Sequence, residues 1–149
     1  MMPFLLLQTI LVPTLIALVM FLFRFQLGKK AGWVAVLSLG YTTALLVTAL
    51  MTVYQGNPIQ ENYQLLSSPD ISVTLIADGL SIAVALICNL LCLALCTYSI
   101  SYIPHRIEIL YPEVLGTKGE LSYFTCFFYL FLFFPVGFMG VSFASDLVL

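Results

Sequence analysis

Among the polar residues inside or directly beside apolar segments of this chain, three are candidates for an ion path: Asp78, Asn89 and Asp146. A polar or ionisable side chain inside a membrane is costly, so it indicates by default an ion or proton path. Each residue also has a structural interpretation. Asp78 precedes an apolar run and fits a helix N-cap, Asn89 should bond to a neighbouring helix, and Asp146 fits a cap between two helices. We take all three as candidate ion-path or structural residues.

Cysteine and histidine could hold a metal or a cofactor. Cys88, Cys92 and Cys96 recur at four-residue spacing and share one helix face, whereas Cys126 lies apart. A metal or redox ladder would need a CxxC or CxxH spacing, or an acid on that face, and neither is present. Small apolar thiols commonly serve as packing residues, and a lone His105 does not suit a membrane haem. We predict no catalytic, metal-binding or cofactor-binding residue, although a quinone pocket among the aromatic residues of the last helix stays open.

Composition decides the class of protein. Of the 149 residues, 62% are hydrophobic and only 8% are charged, whereas a soluble domain carries about 25% charged residues. An integral membrane protein is therefore expected. Five Lys and Arg residues are too few to follow a phosphate backbone, which argues against a nucleic-acid partner.

The apolar runs predict an all-α membrane fold with about four spanning helices, which together form a single membrane domain over residues 1–149. We place the helices at about 3–23, 31–54, 77–103 and 121–144, and the start of a fifth at 147–149. Pro104 predicts the end of the third helix, because proline commonly follows a helix end. Residues 55–74 predict an ordered loop over the bundle, in which residues 71–76 could form a strand or an extended approach.

The basic residues predict the orientation. Arg24, Lys29 and Lys30 follow the first helix, and Arg106 and Lys118 follow the third. The positive-inside rule places both loops in the cytoplasm and the N-terminus outside. We therefore expect a multi-pass protein of a cell membrane, most simply a prokaryotic plasma membrane.

Two motifs frame the third helix: DGLS at residues 78–81 and YSISYI at residues 98–103. Together they resemble the third helix of the antiporter-like membrane subunits found in respiratory complex I, membrane-bound hydrogenases and Mrp-type cation/proton antiporters. The turn at Ser145 and Asp146 is similar to the acid turn that leads to the fifth helix of that family. The layout of the whole chain is similar to the family's N-terminal helices.

The resemblance implies an N-terminal piece or small subunit of a module that moves H⁺ or Na⁺ in a respiratory-type oxidoreductase complex. The family's pumping glutamate and lysine residues lie on later helices, beyond this sequence. We therefore expect a structural, sealing role without a complete ion relay, no cofactor, and membrane partners that include a chain with the later antiporter helices. The alternative is a small structural or assembly membrane subunit without an ion pathway.

Overall fold

The computed structural model describes residues 4–57, 59–67 and 70–144. The chain forms helices joined by short connections, with one β-hairpin between the second and third long helices. The elements in chain order are α1 (Leu5–Leu22), α2 (Arg24–Leu27), α3 (Ala31–Tyr54), β1 (Ile59–Ser67), β2 (Asp70–Ala77), α4 (Gly79–Leu110) and α5 (Lys118–Phe143). Two single 3₁₀ turns, Gly28–Lys30 and Pro112–Val114, precede α3 and α5.

Four of these helices are long and apolar enough to span a membrane. In the described part of the chain, α1, α3, α4 and α5 have 18, 24, 32 and 26 residues. Even the shortest, α1, rises about 27 Å, close to the roughly 30 Å hydrocarbon core of a bilayer. The four expected long apolar helices are confirmed, and their length and composition support a multi-pass, largely α-helical membrane protein.

The third span is longer than predicted. Its expected end at Ile103 is wrong, because α4 continues through Pro104 to Leu110. A proline removes one backbone N–H donor, but the helix survives where water or a neighbour can satisfy the freed carbonyl. Most residues of this last stretch are exposed, while Ile107 is buried in the helical core. That contact extends the helix beyond the point at which the local proline signal would stop it.

The predicted loop at residues 55–74 is largely a β-hairpin, so the interpretation as a loop is wrong and the strand alternative is confirmed. β1 pairs with β2 in antiparallel register from Ile59 opposite Ala77, with one irregularity between Gln64 and Leu66. Buried and exposed side chains alternate along β2: Leu75 and Ala77 are buried and Ile76 between them is exposed. One face of the hairpin therefore joins the core. The fold is thus not purely α-helical.

The core consists of two layers along the bundle axis. One layer packs the hairpin against the adjacent helix ends; it includes Leu6, Leu46, Leu75, Ile82 and Phe143. The other lies toward the opposite helix ends and includes Ala17, Ala35, Cys96 and Phe128. We call the end of the bundle that carries the hairpin the hairpin side. The opposite end, which carries the two 3₁₀ turns, is the basic side.

A glycine lets three helices meet in the second layer. α3 packs mainly against α4, and α1 mainly against α5. At Gly32 of α3, a Cβ atom would lie only 2.8 Å from Ile100 Cγ1 of α4 and 3.2 Å from Phe128 Cζ of α5. Only a residue without a side chain permits this approach, as at other close helix contacts in membranes.

Candidate functional site

Asp78 forms the N-cap of α4. Its carboxylate accepts a 2.7 Å hydrogen bond from the Ser81 backbone N–H, and the Asp78 N–H donates to the Ser81 hydroxyl at 3.1 Å. This reciprocal pair is a capping box, which satisfies donors that have no partner at a helix start. The Ser81 hydroxyl, which also bonds the carboxylate, lowers the pKa of Asp78. The exposed carboxylate at the hairpin side is thus held as an anion by its own helix.

Asn89 lies fully buried between α3 and α4. Its Nδ2 donates to the Leu39 carbonyl at 3.2 Å and to the Thr43 hydroxyl at 2.7 Å. Thr43 in turn donates to the same Leu39 carbonyl at 2.8 Å, which closes a three-membered network. The predicted hydrogen bond to a neighbouring helix is present.

The orientation of the Asn89 amide follows from this network. Both Nδ2 hydrogens have acceptors on α3, and rotating the amide would direct its oxygen at the Leu39 carbonyl oxygen. Two acceptors in contact would repel each other, so the arrangement with Nδ2 facing α3 is the favourable one. The cost is that Asn89 Oδ1 lies buried without a partner.

The structure does not bring the sequence-predicted residues into one site. Asp78 and Asn89 lie eleven positions apart on the same helix axis, about 16 Å along it, with one exposed and the other buried. Asp146 lies outside the residues that the structure describes. The first two residues therefore act separately, one as a helix cap and one as a contact between helices.

Glu61, which the sequence analysis did not single out, makes a polar contact between distant segments on the hairpin side. From β1, its carboxylate accepts from the backbone N–H of Leu6 at 3.0 Å and of Leu7 at 3.1 Å. These are among the N–H groups that have no partner in the first turn of α1. A carboxylate there also faces the positive end of the helix dipole. Glu61 thus ties the hairpin to the start of the first span.

Tyr63 completes this contact. Its hydroxyl donates to Glu61 at 2.7 Å, and its ring stacks on Phe4 with centroids 5.9 Å apart. Burial, with the bond to Glu61 as the second cause, raises the pKa of Tyr63. The i, i+2 spacing of Glu61 and Tyr63 places both on one strand face. Had residues 59–67 been predicted as a strand, this spacing would have indicated that the two side chains are neighbours.

The interior polar groups are neutral. Among the residues whose burial the structure describes, the buried polar side chains are Thr9, Ser38, Thr42, Asn89, Ser99 and Thr125, and none is ionisable. Three of their atoms lack a hydrogen-bond partner: Ser38 Oγ, Asn89 Oδ1 and Thr125 Oγ1. Neutral groups can orient water or pack helices, but they do not become charged by taking up or releasing a proton.

The cysteines and the histidine occupy ordinary structural positions. Cys92 and Cys96 are buried in the core layer toward the basic side, Cys88 packs against it, and all four cysteines are free thiols. His105 lies exposed, 3.9 Å from Glu108. Within residues 4–57, 59–67 and 70–144, no group of three or more His, Cys, Asp or Glu side chains is arranged to hold a metal ion.

Comparisons of the chain with models of known protein families and with functionally characterised proteins find no match. The geometry of the described residues therefore carries the functional argument, together with the motifs of the sequence.

Proposed function

We propose that this chain is an N-terminal piece or small subunit of an antiporter-like, ion-translocating membrane module in a respiratory-type oxidoreductase complex. One observation carries the proposal: the two family-like motifs lie on one helix that is long and apolar enough to span a membrane, and the first of them forms its N-terminal capping box. The capping box supplies a physical reason for the DGLS motif, because Asp78 and Ser81 satisfy each other's backbone donors.

In this proposal the chain seals and scaffolds the module without carrying a relay. Proton transfer through a membrane needs a series of titratable groups in a hydrated interior. The described interior offers hydroxyl, thiol and amide groups in their place. The glutamate and lysine residues that move H⁺ or Na⁺ would belong to a partner chain with the later antiporter helices.

The proposed orientation places the basic side in the cytoplasm and the hairpin outside. All five Lys and Arg residues lie at the basic side: Arg24 opens α2, Lys29 and Lys30 belong to the 3₁₀ turn before α3, Arg106 is near the end of α4, and Lys118 begins α5. The segment between α3 and α4 contains Glu61 and Asp70 and no basic residue. This asymmetry is the one that sets orientation in a cell membrane. A prokaryotic plasma membrane is the simplest location for such a module.

The neutral interior equally suits a structural or assembly subunit without an ion pathway, and this is the second candidate. The two candidate functions differ in the partner chains that they predict. We would tag the chain, extract it from its native membrane in mild detergent, measure its size on a native gel and identify the chains that migrate with it. The proposal requires a particle much larger than the 16.5 kDa chain with its detergent, and redox subunits within it. A large particle without them favours the structural candidate. A chain that migrates alone, or as a small homo-oligomer, would contradict the proposal.

A further inference from the structure

Arg24 lies at the basic-side end of the first apolar helix. It is the first residue of α2, two positions beyond the end of α1. Leu5, the first residue of α1, precedes it by nineteen positions, which correspond to about 28 Å of helical rise. That distance matches the roughly 30 Å thickness of the hydrocarbon core. An arginine at this position can extend its charged end to the interface while its stem stays in the apolar region.

Two aromatic rings hold the guanidinium of Arg24. Its Cζ lies 4.6 Å from the ring centroid of Phe25 and 5.9 Å from that of Phe21. Both distances are within the range of cation–π attraction. In the described part of the chain, the one ion pair within 4.0 Å joins His105 and Glu108, so no carboxylate contacts Arg24. The cation is half-buried, and no described carboxylate neutralises its charge.

Tyr129 of α5 provides a second donor beside the same ring. Its ring meets Phe21 edge-on, with centroids 5.4 Å apart and planes 75° apart. The Tyr129 oxygen accepts a 3.4 Å hydrogen bond from the Cys126 thiol. A phenol hydroxyl can turn its hydrogen away from this weak sulfur contact and donate to an anion beside Phe21. The Phe21 ring therefore contacts two residues that can donate hydrogen bonds: Arg24 through its guanidinium and Tyr129 through its hydroxyl.

We propose that Arg24 and Tyr129 bind the phosphate group of a phospholipid in the leaflet on the basic side. A guanidinium matches phosphate oxygens in a planar, two-point contact, and the Tyr129 O–H adds a third donor. Phe21 and Phe25 are about half exposed, at 45% and 48%, and they offer apolar surface to the acyl chains next to the headgroup. This surface favours a lipid over free phosphate. The inference goes beyond the proposed function and does not depend on it.

The test is lipid-dependent thermal stability of the full chain in detergent. A thiol-reactive dye reports unfolding, because Cys92 and Cys96 are buried in the fold. We would titrate the delipidated protein with phosphatidylglycerol, phosphatidylcholine and inorganic phosphate. Phosphatidylglycerol should raise the unfolding midpoint in a saturable way and phosphatidylcholine more weakly, whereas inorganic phosphate at matched concentration should have little effect. An equal shift with inorganic phosphate would overturn the assignment to a lipid.

Variants assign the effect to the two donors. Arg24→Gln should weaken the apparent phosphatidylglycerol affinity about tenfold, the order expected for loss of a hydrogen bond to a charged group. Tyr129→Phe keeps the ring against Phe21 and should weaken the affinity roughly threefold. Lys30→Gln, which removes an exposed charge on the same side, is the matched control and should change it little.

Equal losses in Arg24→Gln and Lys30→Gln would reduce the effect to general charge attraction and overturn the proposal. If Arg24→Gln does not fold, the phospholipid affinities of Arg24→Lys and Tyr129→Phe test the site instead. Arg24→Lys keeps the charge but loses the planar contact, so its affinity should fall below that of the wild type. Wild-type affinity in both of these variants would contradict the site.

Discussion

The Asn89 amide of α4 donates a 2.7 Å hydrogen bond to the Thr43 hydroxyl of α3, across 46 positions of sequence. It is a bond between side chains of two spans in a bundle whose other hydroxyls mostly donate to carbonyls of their own helix, as Thr42 does to Ser38 and Ser99 does to Leu95. In an apolar bundle, such a bond sets which turn of α4 faces which turn of α3.

A double-mutant cycle measures this contact. We expect Asn89→Leu and Thr43→Val to be coupled by about 0.5–1.5 kcal/mol in the free energy of unfolding, the range found for side-chain bonds between membrane helices. The measurement is reversible unfolding in mixed detergent. As a control, Thr48 donates to Leu45 within α3, so Asn89→Leu with Thr48→Val should be additive within about 0.5 kcal/mol. Equal coupling in both cycles would show that the network does not join the helices.

Glu61→Ala should loosen the hairpin from the bundle. The substitution leaves the N–H groups of Leu6 and Leu7 without their carboxylate, and loss of a helix cap typically costs about 1–2 kcal/mol of unfolding free energy. Tyr63→Phe removes one donor and keeps the stack on Phe4, so we expect about 1 kcal/mol. Chemical unfolding checks both values. Glu113→Ala, at an exposed glutamate on the basic side, is the control, and a loss as large as that of Glu61→Ala would refute the cap.

Acidification should release the start of α4. The folded protein lowers the pKa of Asp78, so the cap contributes its full stability above the ordinary aspartate pKa of about 3.9. That contribution is lost as the pH falls through the lower folded-state pKa. Amide hydrogen exchange at residues 80–82, compared between wild type and Asp78→Asn at each pH, measures the change. Asparagine caps well without titrating, so only the wild type should lose protection below about pH 4. Parallel loss in both proteins would rule out Asp78 as the cause.

Gly32→Ala should separate three helices. The new methyl group would lie within 2.8 Å of Ile100 and 3.2 Å of Phe128, and relief of such overpacking typically costs about 1–3 kcal/mol. Gly40, on the same helix, has nothing within 4 Å of the corresponding position. Gly40→Ala should therefore be neutral or stabilising by up to about 1 kcal/mol through helix propensity. Thermal unfolding of the two variants compares them directly, and equal midpoints would contradict the close packing at Gly32.

Local signals in the sequence were sufficient for some of these features. The four spans follow from apolar length alone. The N-cap role of Asp78 follows from an aspartate at the start of an apolar run, whereas its reciprocal bond with Ser81 was not predicted. The requirement that Asn89 find a partner on a neighbouring helix also follows from the cost of a lone amide in an apolar bundle. The identity of that partner does not, because Leu39 and Thr43 reach Asn89 only through the packing of α3 on α4.

The features that were missed depend on contacts between distant segments. Glu61 is an ordinary loop acid in the sequence, and its role appears only when the hairpin places it 3.0 Å from an amide 55 positions away. Pro104 predicts a helix end by local rules, yet the burial of Ile107 in the core extends α4 past it. In both cases tertiary contacts override a local preference, which one sequence read by itself cannot show.

Mass spectrometry of the chains that leave the native membrane with the tagged chain in mild detergent tests the proposed function directly. If the proposed function is right, redox subunits of a hydrogenase-like or complex I-like assembly co-purify, together with a chain that carries the later antiporter helices. Glu61→Ala and Asn89→Leu, each compared with its control, would then show whether the hairpin or the helix packing holds the chain in that assembly. Recovery of the tagged chain alone, with no such partner, would contradict the proposed function and leave a structural membrane protein whose DGLS and YSISYI motifs serve only its own fold.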